Sequence, residues 1–218
     1  MRFFLLMACC FAALRSAPVP PCTSPLNPAF ETICFTAVSS SGNYSVRDYV
    51  SGVNVSLITT TSTSPFGGWA QLASLLTQEM LIYFEGENSA LRQVPRTVPL
   101  IFRPTTAGSG ATAGSGGGLS ASMALPTSVF PNPALAPKPS SFADVLEPFP
   151  AIRIAALSFE TPQLATDIQY SFACGELQEI LTLQGIAPVA GPWSQAWVTY
   201  SGRASATFVN ECWIEVKK

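Results

Sequence analysis

Histidine is absent from the 218 residues. That one zero removes Ser-His-Asp and Cys-His catalysis, His-ligated zinc and His-ligated heme iron. Among the acids, Glu85 and Glu87 flank Gly86. Paired carboxylates can divide acid and base work in a hydrolase, at separations of about 5–5.5 Å or about 6.5–9.5 Å. A glycine between them at a helix end describes a solvated turn equally well, and exposed side chains without a cleft are the expectation. Arg47 and Asp48 are adjacent in Tyr44-Ser-Val-Arg-Asp-Tyr49, an alternating strand pattern that lets Arg47 pair with an acid. The Gly-rich run at 114–118 lacks the Lys-Ser/Thr of a phosphate loop. Eleven Lys+Arg against 13 Asp+Glu give a net charge of −2. No basic patch can form from so few scattered cations, so a nucleic-acid partner is not expected.

The cysteines and the first residues speak to the compartment. Arg2 followed by apolar Phe3 to Leu14 reads as a secretory signal, too short to span a bilayer. Residues 1–17 are assigned to it. A cut after Ala12, with Cys10 at −3, fits the small-x-small rule better than one after Ala17. Cys9 and Cys10 fall in this leader. Cys22, Cys34, Cys174 and Cys212 remain, an even number that allows two disulfides in three connectivities. None makes a Cys-x-x-Cys pair. The sequons at Asn43 and Asn54 fit a glycoprotein on a secretory route, and no other run is long enough to cross a membrane. A secreted chain and one held in an organelle lumen are not distinguished.

These groups must be positioned by an α+β arrangement. Residues 18–29 are a proline-rich segment, and 30–218 form one domain, since about 150 residues is the usual domain size. Ile33 to Val38, Tyr44 to Tyr49 and Val53 to Thr61 are rich in strand formers. Ser64-Pro65 signals a helix start; Trp69, Leu72, Leu76, Met80, Tyr83 and Phe84 give it an apolar face, and Gly86 ends it. That face packs on a sheet or lines a ligand groove. Val98, Leu100 and Phe102 alternate as a strand. Residues 105–127 read as a flexible low-complexity insertion, and 128–141 as an extended connector. Ala151 to Phe159 is strand-like. Thr161-Pro162 signals a second helix with Leu164, Ile168, Phe172, Leu177, Ile180 and Leu181 on its apolar face, closed by Gly185. Trp197 to Tyr200 and Ala206 to Val216 read as a last strand pair. Each half therefore runs strands, helix, strands.

Several of these stretches resemble the SOUL/heme-binding protein family. Tyr44-Ser45-Val46-Arg47-Asp48-Tyr49 is similar to the family's Tyr-Glu-Val/Ile-Arg-x-Tyr strand, with Ser45 in place of Glu. Tyr83-Phe84-Glu85-Gly86-Glu87-Asn88 resembles its Tyr-Ile-x-Gly-x-Asn helix end, with Phe84 replacing Ile. Thr97-Val98-Pro99-Leu100, Ser128-Val129-Phe130-Pro131 and Asn210-Glu211-Cys212-Trp213 are looser counterparts of three further family motifs, so the likeness spans about residues 30–216. The resemblance implies a distorted β-barrel of two four-stranded antiparallel sheets with two helices, related by a pseudo-twofold repeat. It also implies non-covalent binding of heme or another porphyrin in a shallow apolar groove. Carried onto this chain, the groove falls at Leu76, Met80, Tyr83 and Phe84, with Arg92 toward a propionate. The iron ligand that some members draw from histidine has no counterpart here, which leaves Met80, Tyr83 and Cys174 as the chemically competent donors. The expected function is that of a secreted or lumenal tetrapyrrole-binding protein without catalytic activity. The alternative is a protein-interaction or scaffold module on the same fold that has lost tetrapyrrole binding.

Overall fold

A computed structural model describes residues 22, 30–49, 55–61, 69–104, 119–130, 133–141, 144–191, 193–200 and 207–218. The leader at 1–17, nearly all of the proline-rich segment, Asn54, the Ser64-Pro65 signal and residues 105–118 lie outside the described residues.

The architecture is α+β. Among the described residues nine antiparallel strands form one sheet: β1 (Phe35–Ser41), β2 (Tyr44–Tyr49), β3 (Val55–Thr61), β4 (Leu100–Pro104), β5 (Leu119–Ala124), β6 (Asp144–Pro148), β7 (Arg153–Thr161), β8 (Ala196–Thr199) and β9 (Phe208–Glu215). Two helices accompany them, α1 (Trp69–Glu85) and α2 (Asp167–Leu183). The strand order is β1-β2-β7-β9-β8-β4-β5-β3-β6. The two four-stranded sheets expected from sequence are thus joined, because β4 pairs directly with β8 through Leu100↔Thr199, Ile101↔Val198 and Phe102↔Trp197. The sheet is open rather than a closed barrel: among the described residues β1 and β6 end the order and are not paired with each other. Two chain segments share one connectivity. In β3-α1-β4-β5 the third strand lies between the other two, and in β7-α2-β8-β9 it does so again.

Strand alternation gives the sheet two apolar faces. One carries both helices. There Phe102, Ala121, Met123, Leu157, Trp197, Cys212 and Ile214 meet Leu76, Met80 and Phe84 of α1 and Tyr170, Leu177 and Leu181 of α2. The other has no helix. On it Ile101, Ile154, Ala156, Val198 and Trp213 are covered by Ile33, Phe149, Ile152 and Trp193 from flanking segments.

The helix ends follow from sequence. Gly86 (φ +120°) and Gly185 (φ +66°) hold the positive φ of a Schellman stop. Around them Glu87 N donates to Ile82 O and Gly86 N to Tyr83 O, while Ile186 N donates to Leu181 O and Gly185 N to Thr182 O. The start of α2 differs from expectation. Thr161 ends β7, and Thr166 is the cap, its hydroxyl accepting from Gln169 N while the Gln169 side chain accepts from Thr166 N. Its buried face is Tyr170, Ala173, Cys174, Leu177 and Leu181. Ile168 and Phe172, expected on that face, are 63% and 76% exposed. A second correction concerns 105–127: its last third is β5, a fully buried strand between β3 and β4. Alternating Leu119, Ala121 and Met123 against Ser120 and Ser122 supply its two faces, and small side chains suit the centre of a sheet covered on both sides.

Two disulfides are present, Cys22–Cys34 and Cys174–Cys212. The second ties α2 to β9. They place the chain in an oxidising, non-cytoplasmic compartment. Among the described residues no helix is long and apolar enough to cross a membrane.

Candidate functional site

The expected groove residues are brought together, but on the inside of the molecule. Leu76, Met80, Tyr83 and Phe84 are 3%, 0%, 1% and 2% exposed and belong to the core between α1 and the sheet. The helical repeat that aligns them is the one that packs them. Tyr83 donates its hydroxyl to Pro137 O at 2.8 Å, and burial pushes its pKa up to about 12, with the nearby Arg92 charge opposing. Asn88 is fully buried just beyond the helix. Its amide donates to Tyr83 O at 3.0 Å and to Arg92 O at 2.7 Å. Gly86 lies against the Arg92 backbone, where a Cβ would sit 3.5 Å from the Arg92 carbonyl carbon. The Tyr-x-x-Gly-x-Asn pattern thus pins the chain that follows α1.

Arg92 itself is exposed, with its guanidinium 5.1 Å over the Phe130 ring. Its neighbour in sequence, Leu91, is 85% exposed, and Val129 beside Phe130 is 38% exposed. The same helix end receives Lys138, whose backbone N and O bond to Ser89. The outer edge of α1 therefore combines apolar side chains with two cations. No axial iron donor accompanies it: Met80 and Tyr83 are buried, and Cys174 is oxidised. Among the described residues this edge offers two cations and no iron ligand. Among the described residues no cluster of three or more His, Cys, Asp or Glu could hold a metal.

Glu85 and Glu87 are both exposed, and Glu85 pairs with Arg96 at 2.7 Å. Asn43 is exposed in the β1–β2 turn, with its amide donating to Ser158 O at 3.2 Å.

On the helix-free face lies a buried charge cluster that the sequence disclosed only in part. Arg47 meets Glu211 in a two-pronged ion pair, Nη2 to Oε1 at 2.6 Å and Nη1 to Oε2 at 2.8 Å. Glu211 is fully buried and also accepts from Ser158 Oγ (2.8 Å), Tyr200 Oη (2.8 Å) and Trp213 Nε1 (2.6 Å). Burial alone would raise its pKa. The Arg47 charge and the hydrogen bonds from Arg47, Trp213 and Ser158 outweigh that and hold the carboxyl below its ordinary range. Arg47 is likewise desolvated, yet the Glu211 charge keeps it more firmly protonated than a free arginine. Alternation in β2 showed that Arg47 shares a face with Ser45 and Tyr49. Its partner Glu211, 164 residues away, stood in the Asn210-Glu211-Cys212-Trp213 motif, but nothing in the sequence paired it with Arg47. Every lone pair of the carboxylate is engaged within the protein, so the cluster is a structural anchor with no valence left for a substrate.

No family model and no curated protein matches the sequence. The fold itself is found among solved structures. The chain is similar to the C-terminal domain of EcmrR, with a TM-score of 0.52 at 10% identity over 80% of this chain and 97% of that one. In the EcmrR–DNA complex the TM-score is 0.54 at 11% identity, over 80% of this chain and 57% of that one. A structure from Listeria innocua described as a hydrolase gives 0.51 at 9% identity over 83% and 94%. At such identities the likeness shows a shared fold and nothing about activity.

Proposed function

We propose that this chain is a non-catalytic, SOUL-like tetrapyrrole-binding protein exported to an extracellular or lumenal space. The observation that carries the reading is the edge of α1, where Arg92 is stacked over Phe130 beside exposed Leu91 and Val129 and near Lys138. A porphyrin laid there would bury one apolar face, worth about 25 cal/mol per Å² before association costs. Arg92 and Lys138 would take the propionates. Contact by Leu76, Met80, Tyr83 and Phe84 requires α1 to lift from the sheet. The pseudo-twofold repeat belongs to the same reading: the shared connectivity of the two segments supports an axis between β4 and β8.

Hemin titration of the purified full chain tests this. The expected result is a red-shifted Soret band and quenched tryptophan emission at micromolar heme. The double variant R92A/K138A should weaken binding about tenfold, since two charge-assisted contacts are lost. A second reading, an interaction module without a tetrapyrrole, is favoured by the burial of the four apolar groove residues. An unchanged Soret band with unquenched tryptophan would select it.

A further inference from the structure

On the helix-free face, remote from α1, a partly buried cation lacks the ion-pair partner that Arg47 has, among the described residues. Arg103, on β4, is partly buried, and its guanidinium lies 4.5 Å over the ring of Trp193, itself only 7% exposed. Its Nε is buried with no hydrogen-bond acceptor. No carboxylate is ion-paired to it. Burial weighs against its charge, and Glu147 of β6 offsets part of that penalty by a through-space attraction. The next polar group along the sheet repeats the pattern. Ser122 is 1% exposed, and its Oγ has no partner. Cross-strand register puts the two on one face: Arg103 stands opposite Ser120, and Ser122 opposite Ile101, so Arg103 and Ser122 are diagonal neighbours on adjacent strands. Ser120 is spent on the Arg103 backbone carbonyl, at 3.4 Å.

Buried donors without acceptors are costly, and most so for a charged group. Here two donors of the same polarity face the same side, one a guanidinium whose fork matches a carboxylate. The surroundings are apolar: Ile101, Val198, Trp193, Trp213 and Phe149 share this core. From this juxtaposition we propose that Arg103 and Ser122 form a subsite for a carboxylate carried on an apolar, aromatic body. The carboxylate accepts from Arg103 Nε and one Nη and from Ser122 Oγ, and the body packs against Trp193. The site lies on the opposite side of the sheet from the tetrapyrrole edge and does not depend on it.

The probes are sodium benzoate and inorganic phosphate, titrated by calorimetry against the full chain. Benzoate binds saturably and phosphate at least about tenfold more weakly, because phosphate gains the charge contact but no apolar burial. Arg103→Gln removes the benzoate signal. Arg103→Lys also loses about tenfold, since an ammonium keeps the charge but not the fork, and Ser122→Ala loses about threefold, the worth of one hydrogen bond. Should R103Q fail to fold by circular dichroism, the R103K and S122A arms decide. Hemin binding is unchanged in all three variants, which separates this site from the tetrapyrrole reading. Absence of saturable benzoate binding, phosphate binding as tight as benzoate, or R103K and S122A binding like the parent would overturn the proposal.

Discussion

The segments β3-α1-β4-β5 and β7-α2-β8-β9 have the same connectivity but treat the polar groups of the helix-free face differently. Ser122 of β5 and Glu211 of β9 lie in one row across the sheet, Ser122 opposite Ile101, Ile101 opposite Val198 and Val198 opposite Glu211. Glu211 has five hydrogen bonds from four residues, whereas the hydroxyl of Ser122 has none. The second segment is also stapled by Cys174–Cys212 from helix to sheet, and Asn210 donates to Thr161 Oγ1 and accepts from Tyr170. The first has no such staple, and its Arg103 is unpaired. One segment is a locked frame. On the helix-free face the other keeps Arg103 Nε and Ser122 Oγ without partners, whereas the unpartnered hydroxyl of the second segment, Thr199 Oγ1, lies on the face that carries the helices.

The sharpest way to break this contrast is to unlock the frame. Glu211→Gln leaves Arg47 charged in an interior site and should cost about 3–5 kcal/mol in urea denaturation. Replacing both residues, R47M/E211M, should recover most of that loss, because no uncompensated charge remains. A single variant as stable as the parent would show the cluster to be solvated and the contrast empty. The same pair sets an acid limit. The Glu211 carboxyl has its pKa lowered in the folded state. Its contribution is therefore fully present above the unfolded glutamate value of about 4.3 and is lost as pH falls below it. The parent should lose stability below about pH 4 more steeply than R47M/E211M does.

Removing the staple comes next. With 38 residues between Cys174 and Cys212, C174A/C212A should cost about 4 kcal/mol in the chain-entropy account. Cys22–Cys34 closes only 12 residues, and C22A/C34A should cost about 3 kcal/mol. Thermal unfolding with and without reductant measures both. The order matters for the comparison: equal or reversed losses would mean that the second segment owes its rigidity to something other than its staple.

What sequence revealed follows how local each signal is. The stops at Gly86 and Gly185 were legible because a glycine after the last apolar turn has one physical use there. The last third of 105–127 was not, because Leu119-Ser-Ala-Ser-Met-Ala124 has the composition of the low-complexity run before it. Only pairing on both sides makes it a central strand. In α2 two apolar stripes compete. Ile168 and Phe172 lie on one of them, yet Cys174 must reach Cys212, and that turns Tyr170, Leu177 and Leu181 inward. Of the residues proposed to bind a tetrapyrrole, Arg92 was named from its place after the Tyr-x-x-Gly-x-Asn pattern. Arg103 was not, since nothing local distinguishes an arginine that lacks an acceptor from one with a salt bridge.

The smallest expected effect lies one residue from the largest. Arg47 and Asp48 are neighbours on β2 and point to opposite sides of the strand. Asp48 forms its own two-pronged pair with Arg153, Nε to Oδ1 at 2.8 Å and Nη2 to Oδ2 at 2.7 Å. The bond lengths match those of Arg47–Glu211, and the hydrogen bonds from Arg153 lower the Asp48 pKa in the same direction. Solvent separates the two cases, because the Arg153 and Asp48 side chains are 26% and 28% exposed while that of Glu211 is 0%. Water and salt screen the outer pair and rehydrate whichever partner is left. Asp48→Asn should therefore leave the urea midpoint within experimental scatter, and any shift seen at low salt should vanish in 0.5 M NaCl. A loss comparable to that of E211Q would mean that geometry, not burial, sets the worth of these pairs, and the contrast between the locked and the open segment would have to be drawn on other grounds.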